Sequence, residues 1–210
     1  MEVLEKLFGN KHRVKIMRLF LFNDGVPFDI DDLTIRSKVN TTAARKEIHL
    51  LLKLDFIKKK TFTKKIEKKS RSKKRGVPPT YRSVKREGWM LNPKFELIRP
   101  LKMLLIESEL IDEADIVNRI RKAGSVQLLL LSGLFVKDED RKLDLLVVGD
   151  KLKRDVLDRE IAVIESEVGH ELCYAAFTKE EFLYRLGMYD KLVRDILEND
   201  HRTLIKRLSY

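Results

Sequence analysis

Five side chains between residues 40 and 53 are of the types that bind phosphate and read bases. Thr42, Arg45, Lys46, His49 and Lys53 are offset by three, four, seven and eleven residues, so on a helix they share one face. Three strong cations, a hydroxyl and an imidazole on one face can hydrogen-bond phosphate oxygens and base edges. Ala44, Ile48, Leu51 and Leu52 fall on the opposite side and supply an apolar backing. Asn40 or Thr41 can cap the start of this helix, where free backbone N–H groups also suit a phosphate. No second ligand is spaced to help His49 hold a metal, so it reads as a phosphate or solvent contact and no metal is expected.

The next stretch adds more cations. From Lys58 to Arg75 there are eleven Lys/Arg and one acid, Glu67. Two β-rich segments, Phe56–Ile66 and Thr80–Trp89, flank the polar stretch Glu67–Pro79, the outline of a hairpin. Lys64, Lys65, Lys68, Lys69, Arg71, Lys73, Lys74, Arg75 and Arg82 are candidate phosphate contacts. Each phosphate neutralised adds about −0.9 to the log–log salt slope on duplex DNA. Such contacts position a protein without reading sequence, which leaves reading to Thr42, Arg45, Lys46 and His49. The bland alternative is a solvated, charged face.

Three helices are needed to hold this surface. Val14, Ile16, Met17, Leu19, Phe20 and Leu21 predict a helix over Lys11–Phe22, ended by Asn23-Asp24-Gly25. Residues 28–33 lead as a strand or turn into a second helix, with Asp29 or Asp31 as its cap. Val39-Asn40 makes the turn into the third. Three helices with a tight turn before the last, then a basic hairpin, outline a winged helix-turn-helix that reads double-stranded DNA.

Charge is distributed to match. Residues 1–91 hold 24 Lys/Arg against 10 Asp/Glu, while residues 92–210 hold 20 against 23, within a total of +11. The first half faces an anionic partner and the second does not. Cys173 is the only cysteine, so no intrachain disulfide forms and a reducing compartment fits. The charged N-terminus lacks a signal-peptide core, and no apolar run approaches bilayer length. A cytoplasmic protein with no membrane partner is expected.

After residue 91 the pattern changes. Asn92-Pro93 reads as a helix cap and first position, followed by Leu97, Ile98, Leu101, Leu104 and Leu105 on one face, with Pro100 kinking or splitting the helix. Another short helix spans Asp112–Lys122. Val126–Leu131, Lys142–Val148 and Leu172–Phe177 are strand-length apolar runs. Helices are expected over Lys151–Glu167, Lys179–Leu186 and Tyr189–Leu197, before a closing segment Arg202–Leu208.

Residues 128–150, LLLLSGLFVKDEDRKLDLLVVGD, and 169–200, beginning GHELCYAAFTKEEF, resemble a minimal nucleotidyltransferase domain. With the first half, nearly the whole chain resembles prokaryotic proteins that fuse a winged helix to such a domain. The resemblance implies Gly-Ser after the first strand, a second small residue beyond it, Asp-x-Asp on the second strand and a third acid on a later one. Alternate strand positions face one way, so two carboxylates hold Mg²⁺ against a triphosphate. The chain departs from this pattern. Its turn reads Ser132-Gly133 in reverse order, Lys142 stands where the first carboxylate belongs, and Asp144 matches only the second. Asp140 shares that face but would lie about 13 Å from Asp144 on an extended strand. Cys173 or Tyr174 occupies the third acidic position.

The expected fold is therefore α+β: a winged helix-turn-helix over 1–91, a helical connector over 92–123 and a nucleotidyltransferase-like domain over 124–210. The expected function is DNA-binding transcription regulation, with no catalysis and no cofactor. A homodimer is expected, because paired half-sites commonly supply specificity. Ser132, Gly133, Lys142 and Asp144 mark a vestigial nucleotide site, open to a nucleotide or protein partner. The alternatives are an Mg-dependent nucleotidyltransferase recruited by its winged helix, or an RNA-binding or ribosome-associated protein.

Overall fold

The computed structural model describes residues 2–67, 81–106, 111–138 and 140–209. Within them the chain is mixed α+β with two separate sheets. None of the described helices is long and apolar enough to cross a membrane.

A short helix, α1 (Glu2–Leu7), precedes the expected ones. Helix α2 (Lys11–Phe22) has the expected bounds; Asn10 caps it by accepting from the His12 N–H at 2.9 Å. Helix α3 (Ile30–Ser37) starts at Asp29, and Asp29 and Asp32 accept each other's backbone N–H in a reciprocal capping box. That settles the choice between Asp29 and Asp31. Helix α4 (Thr41–Lys53) starts at Asn40, whose Oδ1 accepts from the Ala43 N–H at 2.9 Å. Strands β1 (Ile57–Glu67) and β2 (Tyr81–Leu91) pair antiparallel over eleven residues each without a register shift.

One apolar core gathers Phe20, Leu33, Ala44, Ile48, Leu51, Phe56, Ile57 and Leu91. Leu105, on helix α5 (Ile98–Leu105), joins the same core. The helix expected from Asn92-Pro93 begins only at Ile98. Asn92 instead closes the β1–β2 ribbon: its N–H reaches the Phe56 carbonyl at 2.9 Å and its Nδ2 the Asp55 carbonyl at 2.8 Å. Pro100 neither kinks nor splits α5. It sits in the first turn, where the missing N–H has no helical acceptor to lose.

The second sheet has the order β5-β4-β3-β6. Strands β3 (Ser125–Leu131) and β4 (Leu145–Asp150) are antiparallel, and β5 (Tyr174–Phe177) runs parallel to β4. The closing segment supplies β6 (Arg202–Lys206), antiparallel to β3. Helices α6 (Glu113–Arg121) and α7 (Arg154–Val168) contribute to a core with Leu129, Leu131, Leu145 and Val147. Helices α8 (Lys179–Gly187) and α9 (Lys191–Glu198) contribute to another with Leu128, Leu130, Leu146 and Val148. Both sheet faces are buried, which is why these strands read as unbroken apolar runs. The segment 92–123 is shared between the two halves, since α5 packs on the first core and α6 on the second.

Arg18 joins those halves. Its side chain is fully buried; Nε donates to the Leu105 carbonyl at 2.8 Å and Nη1 to the Glu167 carbonyl, at the end of α7, at 2.9 Å. Burial lowers its pKa to about 10, so it stays charged at neutral pH. Beside it, Asn23 Nδ2 donates to the Gly169 carbonyl at 3.1 Å.

Candidate nucleic-acid interface

Helix α4 divides as its spacing predicts. Ala44, Ile48 and Leu51 are buried, while Thr42, Arg45, Lys46, His49 and Lys53 are all exposed. A sixth residue fixes the helix in place. Glu47 lies on the packed side, 5 % exposed, and accepts from Arg13 Nε at 2.8 Å and Asn10 Nδ2 at 2.7 Å. Its spacing of three from Ala44 and four from Leu51 places it on the packed side, but no local pattern identifies partners 34 and 37 residues earlier.

Phe28 anchors the ribbon. It exchanges backbone hydrogen bonds of 2.8 and 2.9 Å with Trp89 on β2. The approach is close enough that a Cβ at Gly88 would lie 2.2 Å from the Phe28 carbonyl oxygen. In the observed register Lys65 lies opposite Ser83, and Arg82 opposite Ile66. Since directly opposed residues share a face and faces alternate, Lys65 and Arg82 project from opposite sides of the ribbon. Both are exposed. Lys68, Lys69, Arg71, Lys73, Lys74 and Arg75 lie outside the described residues.

Lys64 departs from the expectation of a phosphate contact. Its Nζ lies 3.0 Å from Asp29 Oδ2 and 2.6 Å from Asp32 Oδ1. Burial opposes the charge on Lys64, but the hydrogen bonds and charges of Asp32 and Asp29 outweigh it and hold its pKa above the usual lysine value. Burial likewise opposes ionisation of Asp29. The Asp32 N–H and the Lys64 ammonium overcome it, leaving that pKa below the usual aspartate value. A lysine committed to two carboxylates is not a free phosphate contact.

The other described cations of this surface are uncommitted. Among the described residues, no ion pair engages Arg45, Lys46, Lys53, Lys58, Lys59, Lys60, Lys65, Arg82, Lys85 or Arg86. In the second half several arginines are paired. Arg119 pairs with Asp115 and Glu167, Arg141 with Asp138 and Asp195, Arg194 with Glu198, and Arg202 with Glu113.

The residues matched to a nucleotide site come together differently from the expected arrangement. Strand β4 begins at Leu145, so neither Lys142 nor Asp144 lies on it. The Lys142 N–H turns to Asp195 Oδ2 at 3.3 Å instead of to a neighbouring strand, and Lys142 is exposed. Asp144 stands just before the strand. Its Oδ1 accepts from the Leu134 N–H and its Oδ2 from the Cys173 N–H, both at 2.8 Å. Gly133 opens a 3-10 turn (Gly133–Val136), and a Cβ there would lie 2.4 Å from Asp144 Oδ1. Ser132 is buried, its Oγ 3.3 Å from the Asp200 carbonyl. Glu171 forms an ion pair with Arg36 on α3 at 3.2 Å. The arrangement brackets the turn after β3 to the start of β5, and both Asp144 oxygens are occupied by backbone donors. Among the described residues, no three His, Cys, Asp or Glu side chains are grouped to hold a metal ion.

Comparison of the chain with family models, curated proteins and solved structures returns no match.

Proposed function

We propose that the chain is a DNA-binding regulator in which a winged helix-turn-helix reads duplex DNA and a nucleotidyltransferase-like module serves a non-catalytic role. The carrying observation is the exposed cationic face of α4, which makes no ion pair, beside a basic ribbon in which, among the described residues, only Lys64 makes one. Unpaired cations on one surface attract a polyanion, whereas paired ones leave little net field. The order α2, Phe28 bridge, α3, α4, β1, β2 supports the winged-helix reading. In it, α4 would enter the major groove and the ribbon would lie on the backbone. Lys53, Lys65 and Arg82 would position the protein, and Thr42, Arg45, Lys46 and His49 would face the bases.

The antiparallel β3–β4 pair with β5 parallel to β4 supports the nucleotidyltransferase-like reading of the second half. The double engagement of Asp144 by backbone N–H groups supports a structural duty for that residue. Dimerisation through this half would give paired half-sites.

Selection of bound fragments from random duplex DNA at near-physiological salt tests the proposal. An enriched motif is expected, repeated or palindromic if the protein dimerises, and R45A/K46A should abolish the enrichment. Retention without enrichment would reduce the interaction to charge alone and direct the search to RNA.

A further inference from the structure

The reading surface and the ribbon must be held at a fixed angle if both are to engage one duplex. Beyond the Phe28–Trp89 bridge the ribbon is two strands with no third beside them, half-buried along one face at Phe62, Lys64, Ile66 and Val84. The bridge falls at Trp89, opposite Lys59, and Lys64 lies five residues further along β1, about 17 Å further out on an extended strand. Isolated two-stranded ribbons are marginal in water. Among the described residues 61–67 and 81–87, only Lys64 makes an ion pair or side-chain hydrogen bond to the helices.

That contact is made to a prepared receptor. Asp29 uses Oδ1 to accept the Asp32 N–H at 2.8 Å and offers Oδ2 to Lys64. Asp32 uses Oδ2 to accept the Asp29 N–H at 3.4 Å and offers Oδ1 to Lys64. Each carboxylate thus spends one oxygen on the start of α3 and the other on the ribbon. The reciprocal cap fixes both side chains, so the ammonium meets two aimed acceptors. Asp29 is 4 % exposed while the Lys64 and Asp32 side chains are 28 % and 26 % exposed, so the contact is partly shielded from water and salt.

We infer that Lys64 is a positioning residue, a latch that holds the basic ribbon at a set angle to α3 and hence to the exposed face of α4. The inference rests on the DNA-binding reading for its consequence but not for its geometry. Lys64 does not itself touch the nucleic acid. It fixes where Lys65, Arg82 and the rest of the ribbon stand before DNA arrives, and so lowers the entropy lost on binding.

Spin labels at I35C on α3 and T63C on β1, in a C173S background, report the angle in the free protein. A narrow distance distribution is expected. It should broaden or shift in Lys64→Met and, independently, in Asp32→Asn, and Lys64→Arg should restore it. On the selected duplex, Lys64→Met should weaken binding about tenfold through lost preorganisation, with an unchanged salt slope, and Lys64→Arg should recover the affinity. An unchanged distance distribution in both variants overturns the latch. A salt slope reduced by about 0.9 in Lys64→Met would make Lys64 a phosphate contact and also overturn it. If the unmodified protein binds no duplex, the DNA reading fails while the distances still decide the latch.

Discussion

The fully buried guanidinium of Arg18 on α2 donates to the carbonyl of Glu167 at the end of α7, 2.9 Å away. A second N–H of the same side chain holds the Leu105 carbonyl at the end of α5. The helix that supports α4 is thereby tied to the helix that covers the second sheet. Any event in the C-terminal half that moves the end of α7 acts directly on α2.

Arg18→Met should therefore destabilise the protein severely. The substitution keeps much of the apolar stem but leaves buried carbonyls without their charged donor, a loss of about 2–4 kcal/mol. Urea unfolding followed by both far-UV circular dichroism and Trp89 fluorescence measures it. Wild type should show coincident transitions, and the variant a lower midpoint with the two probes separating. An unchanged midpoint would mean that the junction contributes little.

Gly88→Ala should disturb the root of the ribbon. The new methyl would lie 2.2 Å from the Phe28 oxygen and 2.7 Å from its carbonyl carbon, and a backbone obstacle cannot swing aside as a side chain does. A loss of about 1–3 kcal/mol is expected, together with faster hydrogen exchange at the Phe28 and Trp89 amides. Gly25→Ala serves as a control: no atom lies within 4 Å of its added methyl, although its φ of +77° carries its own strain.

Asp144→Asn separates a structural from a catalytic duty. The amide nitrogen cannot accept from an N–H, so either Leu134 or Cys173 loses its partner. A stability loss of about 1–3 kcal/mol follows. Magnesium-dependent incorporation of labelled nucleotide, assayed in parallel, should be absent from the unmodified protein and the variant alike. Incorporation that disappears with Asp144 would restore the enzyme reading.

The Lys64 latch has a defined pH window. Lys64 has a raised pKa when folded, so its contribution is fully present below the unfolded value near 10.5 and lost as pH rises through the higher folded one. Asp29 has a lowered pKa, so its contribution is present above the unfolded value near 3.8 and lost as pH falls through the lower folded one. The stability difference between wild type and Lys64→Met should be constant across neutral pH and shrink only at the two extremes. A difference that varied steeply between those limits would implicate another titrating group.

Much of the scaffold was legible because local chemistry determined it. Helix α2 could be bounded to the residue, since a dense apolar pattern meets Asn23-Asp24-Gly25. The ribbon strands came within one or two residues, and the exposed face of α4 followed from spacing alone. What escaped depends on distant partners. A lysine among lysines gives no hint that Lys64 is committed to Asp29 and Asp32. Asp144 looked like a strand residue because Leu145–Val148 continues its apolar context, but its side chain is taken up by the Leu134 and Cys173 N–H groups. Arg18 is a charge inside an apolar helix whose acceptors lie 87 and 149 residues away, so no local pattern marks its role.

The unbroken eleven-residue ladder of the ribbon also limits how related chains can vary in length. Deleting one residue from β1 beyond the Phe28 anchor would turn every later side chain to the other face. Lys65 would then point toward the carboxylates and the cation now at position 64 toward solvent. A step of two would keep the face but slide Lys64 about 7 Å along the strand, away from both carboxylates. Relatives that retain the latch should therefore keep the spacing between anchor and latch unchanged.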